Sequence, residues 1–348
     1  MLPAVCTDEE WQAVVWNEEI VRPAAEDLAA RLGLAGAGLR RYPGGSRPVY
    51  AVGGRRVLKL YPTVSAPDGV TEARVLEYLH GRLPVATPGL LACGEYENGW
   101  RYVLMSELPG TELAAAWPAI PRPHQDRVAS QAGELLAALH TLDSGPLHGI
   151  LGPADWAGFL AGQRATATQR QRAVKLPEAW LSQIEGFLVS VPAVPGRESV
   201  LLHTEVTREH LLVDPATWTL NGLLDFETAM TGDRAYEFAA AGLSLPRGDP
   251  RLLGRLLAAY GRSFDPRELL AYTLLHRHAN LPECLTEFPA PSEPTLDSLA
   301  QAWFGTVDAA LTEPETGPRG GWWLTVRHRR RRQGGHHERR PGQAGSRL

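Results

Sequence analysis

Lysine is almost absent from this 348-residue chain: it occurs twice, at Lys59 and Lys175, against 33 arginines. The Ala/Gly/Pro/Arg-rich bias is what a GC-rich genome produces, and under it a retained lysine is a candidate for a position that needs a compact ammonium instead of a planar fork. Cysteine is scarce too. Cys6, Cys93 and Cys284 are too few and too scattered for a disulfide framework or a CxxC metal site. No apolar run reaches the ~18 residues of a membrane span. The opening "MLPAVCTDEEWQAVVW" has no basic n-region ahead of an apolar stretch, so no signal peptide is expected and the default location is the cytoplasm. No internal repeat is visible.

What is present is ordinary for a globular protein: 44% hydrophobic and 21% charged residues. The length suggests about two domains. The net charge of −4 hides an asymmetry, because residues 319–348 hold nine arginines and one acid, Glu338. Residues 1–318 keep 26 of the 35 basic and 38 of the 39 acidic residues, a balance of −12. An acidic body attracts cationic ligands at long range. The tail lacks apolar periodicity and has no aromatics among its charges after Trp323, so a disordered, solvated appendage is expected and no specific nucleic-acid partner.

Residues 8–33 read as a helix, with Thr7 or Asp8 as N-cap and Gly33 at the stop. "GLRRYPGGSRPVYAVGGRRVLKLYP" then gives short strand runs broken by Gly-Gly pairs, an antiparallel meander. "PDGVTEARVLEYLHGRL" has helical spacing, with Val70, Leu76 and Leu79 near one face. "GLLACGEYENGWRYVLMSEL" reads as two strands around "ENGW". After "LPGTEL" helices dominate: "HQDRVASQAGELLAALHTL" is strongly amphipathic, and residues 156–191 give two more. "SVLLHTEVTREHLLVD" and "TLNGLLDFETAM" interrupt as short strands among loops, before helices resume from Ala235 to about Leu311. The expected architecture is α+β in two lobes: a small β-rich N-lobe at 1–108, a larger, mainly helical C-lobe at 109–315, and the basic tail at 316–348.

Chemistry concentrates in the interruption. Leu211–Val213 and Leu220–Leu224 are joined by a Pro-containing turn, and the outer ends of this hairpin carry His210 and Asp225. His203 and Glu205 precede it on a loop. Two groups able to hold a hard cation thus sit beside a further carboxylate, and Mg²⁺ favours a few protein oxygens completed by phosphate oxygens and water.

"HTEVTREH", followed twenty residues after its first Glu by "LDFETAMTGDRAYEFA", resembles the aminoglycoside phosphotransferase family, small-molecule kinases of protein-kinase-like fold. The resemblance covers roughly residues 35–300. It implies Asp225 as the main Mg²⁺ ligand and His210 as the second. Glu205 becomes the base for the acceptor hydroxyl, and His203 a member of the catalytic loop that supports it. Lys59, in "VLKLY", would hold the α- and β-phosphates of ATP or GTP. Glu72 would pair with that lysine, with Glu77 as competitor. Ser46, in a Gly-Gly loop that lacks G-x-G-x-x-G, would help cover the phosphates. The backbone of Glu107 and Leu108 would meet the base edge, and Asp233 would brace the loop. Such chemistry rests on positioning and charge neutralisation.

Two residues depart from the family pattern: Glu205 stands where Asp is usual, and His210 where Asn is commoner. They keep open a second reading, a nucleotide-binding pseudokinase with a regulatory role. A third is an interaction protein acting through its basic tail. Glu227, Asp233 and Glu237 are acids near the expected acceptor pocket, whose substrate, a small molecule, stays open, as does the oligomeric state. His276 and His278, two apart on an expected helix, would face different ways. Lys175 falls in a polar helical stretch.

Overall fold

The computed structural model describes residues 2–191 and 197–307. The basic tail and the last residues of the expected C-lobe lie outside them. Helix α1 (Asp8–Val14) begins at Thr7, whose side chain accepts the Glu10 amide while the Glu10 carboxylate accepts the Thr7 amide. That reciprocal box fixes the helix start. The single helix expected over 8–33 is in fact two. Asn17 has extended backbone and caps a second helix, α2 (Glu18–Arg31), by accepting the Glu19 amide. An asparagine satisfying an orphan N–H here outcompetes helix continuation.

A five-stranded antiparallel sheet follows: β1 (Leu39–Arg41), β2 (Val49–Val52), β3 (Arg56–Tyr61), β4 (Leu90–Glu95) and β5 (Arg101–Ser106), in spatial order β1-β2-β3-β5-β4. Helix α3 (Ala66–Leu79) is inserted between β3 and β4. Side chains alternate across a strand, and β3 separates its two sets cleanly. Leu58 and Leu60 pack with Trp11, Val14, Val21 and Leu28 of α1 and α2. Val57 and Tyr61 pack on the opposite face, with Leu76 and Leu79 of α3. Lys59 belongs to this second set. Gly69 lets α3 approach closely, since a Cβ there would lie 2.8 Å from the Tyr61 ring.

The chain then runs through β6 (Thr111–Glu112), α4 (Leu113–Ala116) and the long α5 (Arg122–Thr141). Residues 156–191 form three helices, not two: α6 (Trp156–Ala173), α7 (Glu178–Leu181) and α8 (Ile184–Ser190). Lys175 lies beyond the end of α6, at φ 65°, and is exposed. Next come β7 (Ser199–Leu202), the hairpin β8 (Leu211–Asp214) and β9 (Thr219–Leu223), and β10 (Met230–Asp233). The hairpin joins β6 in a three-stranded sheet, and β7 pairs with β10. Five helices follow: α9 (Arg234–Ser244), α10 (Pro250–Tyr260), α11 (Pro266–Leu275), α12 (Leu281–Glu287) and α13 (Leu296–Phe304). Helix α10 lies so close to α5 that a Cβ on Gly133 would meet the Leu256 carbonyl at 2.2 Å.

Candidate active site

Lys59 is 5% exposed and is surrounded by acid. Its Nζ lies 2.7 Å from Asp225 Oδ1, 2.8 Å from Glu227 Oε2 and 3.3 Å from Glu72 Oε2. Burial alone would lower its pKa. The carboxylates of Asp225, Glu72 and Glu227 outweigh that and hold it well above the ordinary lysine value. Glu72 responds in the opposite sense. Burial, aided by Asp225 and Glu227, pushes it up to about 7 against the attraction of Lys59. Tyr61 donates its hydroxyl to the same Glu72 oxygen. Glu77, the rival partner, is exposed and pairs with Arg74.

Three carboxylates around one ammonium leave an excess of negative charge in a buried place. Glu72, Asp225 and Glu227 each offer an oxygen within 4.8 Å of the others, so they form a candidate cation site. His210 adds to it. Its Nδ1 lies 2.7 Å from the Glu205 carbonyl, which can only accept, so Nδ1 carries the proton. In the neutral ring Nε2 is then a lone pair, facing Asp225 Oδ2 at 3.5 Å. Two acceptors face to face need a cation or a proton between them. Asp225 itself, despite burial, is held below the usual carboxylate range chiefly by Lys59. The donor set therefore fits a hard divalent ion. Glu227, expected near the acceptor pocket, belongs to this cluster instead.

Above this cluster lies a cavity of about 370 Å³, lined by Val49, Val57, Leu212 and Leu224 and reached by Lys59, Glu107 and Leu108. The Glu107 amide is not free for a ligand, since it donates to Arg55 O at 3.0 Å, and the Glu107 side chain accepts from Tyr42. The backbone groups left to meet a base edge are thus those of Leu108 and the Glu107 carbonyl. Ser46 is exposed and does not line the cavity. Its neighbour Arg47 is the loop side chain that reaches the acidic cluster, 3.5 Å from Glu227 Oε1.

The loop between β7 and β8 is fixed from below. Glu237 of α9, 0% exposed, accepts the amides of His203 at 2.8 Å and Thr204 at 2.9 Å. It is a loop anchor and not the acceptor-pocket acid that its sequence position suggested. Thr204 sits at φ 74°, a conformation that a β-branched residue adopts only under constraint. His203 is also 0% exposed: Nε2 donates to Leu224 O at 2.8 Å and Nδ1 accepts the Glu205 amide at 3.2 Å. Burial lowers its pKa, so the ring is neutral and both nitrogens are occupied. The fold brings Glu205 to a cleft and keeps His203 inside. Asp233 caps α9 through the Ala235 amide, accepts from Tyr272 and pairs with Arg197 at 3.1 Å.

The Glu205 carboxylate accepts from Thr228 Oγ1 at 3.3 Å and lies 3.9 Å from His278 Nε2. It borders a second cavity of about 340 Å³ whose other charged walls are Glu209, Glu283, Glu287 and Arg247. His276 and His278 both line it, contrary to the expectation of divergent faces. The helix stops at Leu275, His276 is its C-cap, and the rings meet at 5.9 Å. Burial pushes His276 down to about 3, so it is neutral.

An antiparallel sheet with an inserted helix, a buried lysine paired to that helix, and a hairpin carrying acid beneath a cavity define a two-lobed, protein-kinase-like α+β fold. Within that class the chain belongs to the phosphotransferase enzyme family, whose family model matches residues 38–272. It is 27% identical over 271 residues to an aminoglycoside 3′-phosphotransferase of Streptomyces fradiae, covering 72% of this chain and 93% of that one. Solved structures share the fold. The GDP complex of wild-type aminoglycoside 2′-phosphotransferase-IIIa matches with a TM-score of 0.62 at 18% identity, over 74% of this chain and 89% of that chain. A macrolide 2′-phosphotransferase from Brachybacterium faecium matches at 0.57 and 24% identity, over 84% and 99%. The chain is accordingly a small-molecule phosphotransferase.

Proposed function

We propose that the protein moves the γ-phosphoryl group of ATP or GTP to a hydroxyl of a small cationic acceptor, with Mg²⁺. The observation that carries this reading is the 2.7 Å contact of Lys59 with Asp225. It sets a β3 ammonium and a hairpin carboxylate at the floor of a cavity with apolar walls, while Glu205 faces a separate acidic cleft. The base of the nucleotide lies between Val49, Val57, Leu212 and Leu224, with Leu108 at its edge. Lys59, oriented by Glu72, binds the phosphates. Asp225, Glu227 and His210 would hold Mg²⁺, which neutralises phosphate charge. Glu205 accepts the proton of the acceptor hydroxyl as its oxygen bonds to the γ-phosphorus and the bond from that phosphorus to the β–γ bridging oxygen breaks, releasing the nucleoside diphosphate. His203 orients Glu205 through its amide and does not touch substrate.

The acceptor cleft has four carboxylates, Glu205, Glu209, Glu283 and Glu287, against Arg247 and a neutral His276. That balance favours an amine-bearing acceptor such as an aminoglycoside, whose phosphorylation would be a resistance reaction. The crossing between lobes lies at Glu107–Leu108. Among the described residues no helix is long and apolar enough to cross a membrane, and the need for nucleoside triphosphate suits the cytoplasm. A nucleotide-binding role without transfer has no particular observation in its favour, because Glu205 retains a carboxylate at the cleft.

The test is thermal stability with ATP and with GTP, each with and without Mg²⁺, for the wild type and Asp225→Ala. A ligand at ~100 times its Kd adds ~2.7 kcal/mol. A Mg²⁺-dependent rise that Asp225→Ala abolishes supports the reading and leads to transfer assays on kanamycin, which a structural relative binds. No rise with either nucleotide would sink it.

A further inference from the structure

Lys59 is not the only cation held in the acidic cluster. Arg47 descends from the loop between β1 and β2, its side chain 14% exposed. Its Nη2 lies 2.8 Å from Asp68 Oδ2 and 3.5 Å from Glu227 Oε1. The other Glu227 oxygen is 2.8 Å from Lys59 Nζ. One carboxylate thus bridges the two cations. The guanidinium also sits near the rings of Tyr61 and Trp11, at 5.9 Å and 6.0 Å from their centroids. Its Nε has no hydrogen-bond partner among the described residues. A partly satisfied guanidinium in so sheltered a position needs more acceptor oxygens than it has.

We propose that Arg47 binds the terminal phosphate of the nucleotide, an inference that rests on the nucleotide reading of this cleft. A guanidinium offers a planar fork of donors that matches two oxygens of one phosphate, which the Lys59 ammonium cannot do. Because both cations meet on the two oxygens of Glu227, a phosphate chain that starts at Lys59 has Arg47 as the next cation along the cluster. Glu227 also belongs to the donor set that fits a divalent ion, so engagement of Glu227 there releases one edge of the guanidinium. Arg47 does not line the cavity itself; Asp68, in the first turn of α3, holds its side chain against the acidic cluster at the cavity's edge. Arg47 then acts as a counter of phosphates: the diphosphate does not reach it and the triphosphate does.

Calorimetric titration with ADP and with β,γ-imido-ATP, both with Mg²⁺, tests this without an acceptor; the guanosine pair serves if GTP gives the larger thermal shift. The wild type should bind the triphosphate analogue about tenfold or more tighter than the diphosphate, the scale of a hydrogen bond to a charged group. Arg47→Ala should erase that ratio and leave diphosphate affinity within about twofold, and Arg47→Lys should fall between. Thermal midpoints without ligand establish that each variant folds, and if Arg47→Ala does not, Arg47→Lys decides by the same ratio. A ratio that survives in the variant, a wild type with no triphosphate preference, or equal weakening of both ligands overturns the assignment. A wild type that binds neither nucleotide overturns the functional reading itself, and this inference with it.

Discussion

Glu237 holds Thr204 by its amide at 2.9 Å, and Thr204 turns the chain at φ 74° one residue before Glu205. The strain is local and its restraint is a buried side chain from another element. Glu237→Ala leaves two buried amides without acceptors, each costing about 1–3 kcal/mol. We expect a clear loss of stability in urea unfolding. Transfer should fall by more than the unfolded fraction explains, because the loop that aims Glu205 relaxes. Unchanged turnover in folded Glu237→Ala would refute the anchoring role.

Glu205 is one methylene longer than an aspartate, and Thr228 holds it at 3.3 Å. Shortening it is therefore not a repair. Glu205→Asp withdraws the carboxylate from Thr228, and a misplacement near 1 Å can lower turnover by about 10²-fold. Glu205→Gln removes the carboxylate proposed as proton acceptor and should reduce transfer by about 10²–10⁴-fold. Both variants should keep the Mg²⁺–nucleotide thermal shift. An aspartate variant faster than the wild type would reverse this account.

The pH dependence of stability follows from Glu72. Its pKa in the folded state is about 7, well above the ordinary carboxyl value, mainly because of burial. The folded chain thus binds more protons than the unfolded chain between the two values, and stability from this group falls as pH rises through that window. Asp225 acts oppositely. Its lowered pKa contributes stability above the usual carboxylate range, lost only in stronger acid. Because buried His276 contributes in the opposite sense over part of this window, the readout is the difference: Glu72→Gln should become more stable relative to the wild type as pH rises from about 5 to about 7. Melting curves across pH 5–8 for both proteins check it, and parallel curves would count against it.

Gly69 is where α3 touches β3. Gly69→Ala drives a Cβ to 2.8 Å from the Tyr61 ring, and overpacking of this kind costs about 1–3 kcal/mol. Because Tyr61 donates to Glu72 and Glu72 orients Lys59, the variant should also raise the KM for nucleotide. A variant with lowered midpoint and unaltered KM would separate packing from site geometry.

Much of this site is readable along the chain because short-range rules govern it. Strand alternation puts Lys59 on the cleft side of β3, and a hairpin must bring its two ends, His210 and Asp225, together. Capping is equally local, though the Asn17 cap is concealed by the otherwise continuous helical pattern around it. Other residues are not legible because their partners are remote in sequence. Glu237 looks like any helix acid until α9 packs under the loop at 203–204. Glu227 acquires its meaning only from Lys59, 168 positions earlier. Arg47 and Ser46 are adjacent, and nothing local says which of them turns inward. His276 and His278 line one cleft only because α11 ends at Leu275.

The scarcity of lysine has a practical consequence. Apart from the terminal amine, the chain presents two primary amines, one exposed at Lys175 and one enclosed at Lys59. An amine-reactive reagent on the folded protein therefore yields a small ladder of masses. The background steps belong to the terminal amine and Lys175, and the further step reports on access to the cleft floor. Counting adducts on the intact chain turns occupancy of that cleft into a whole number, with no engineered label.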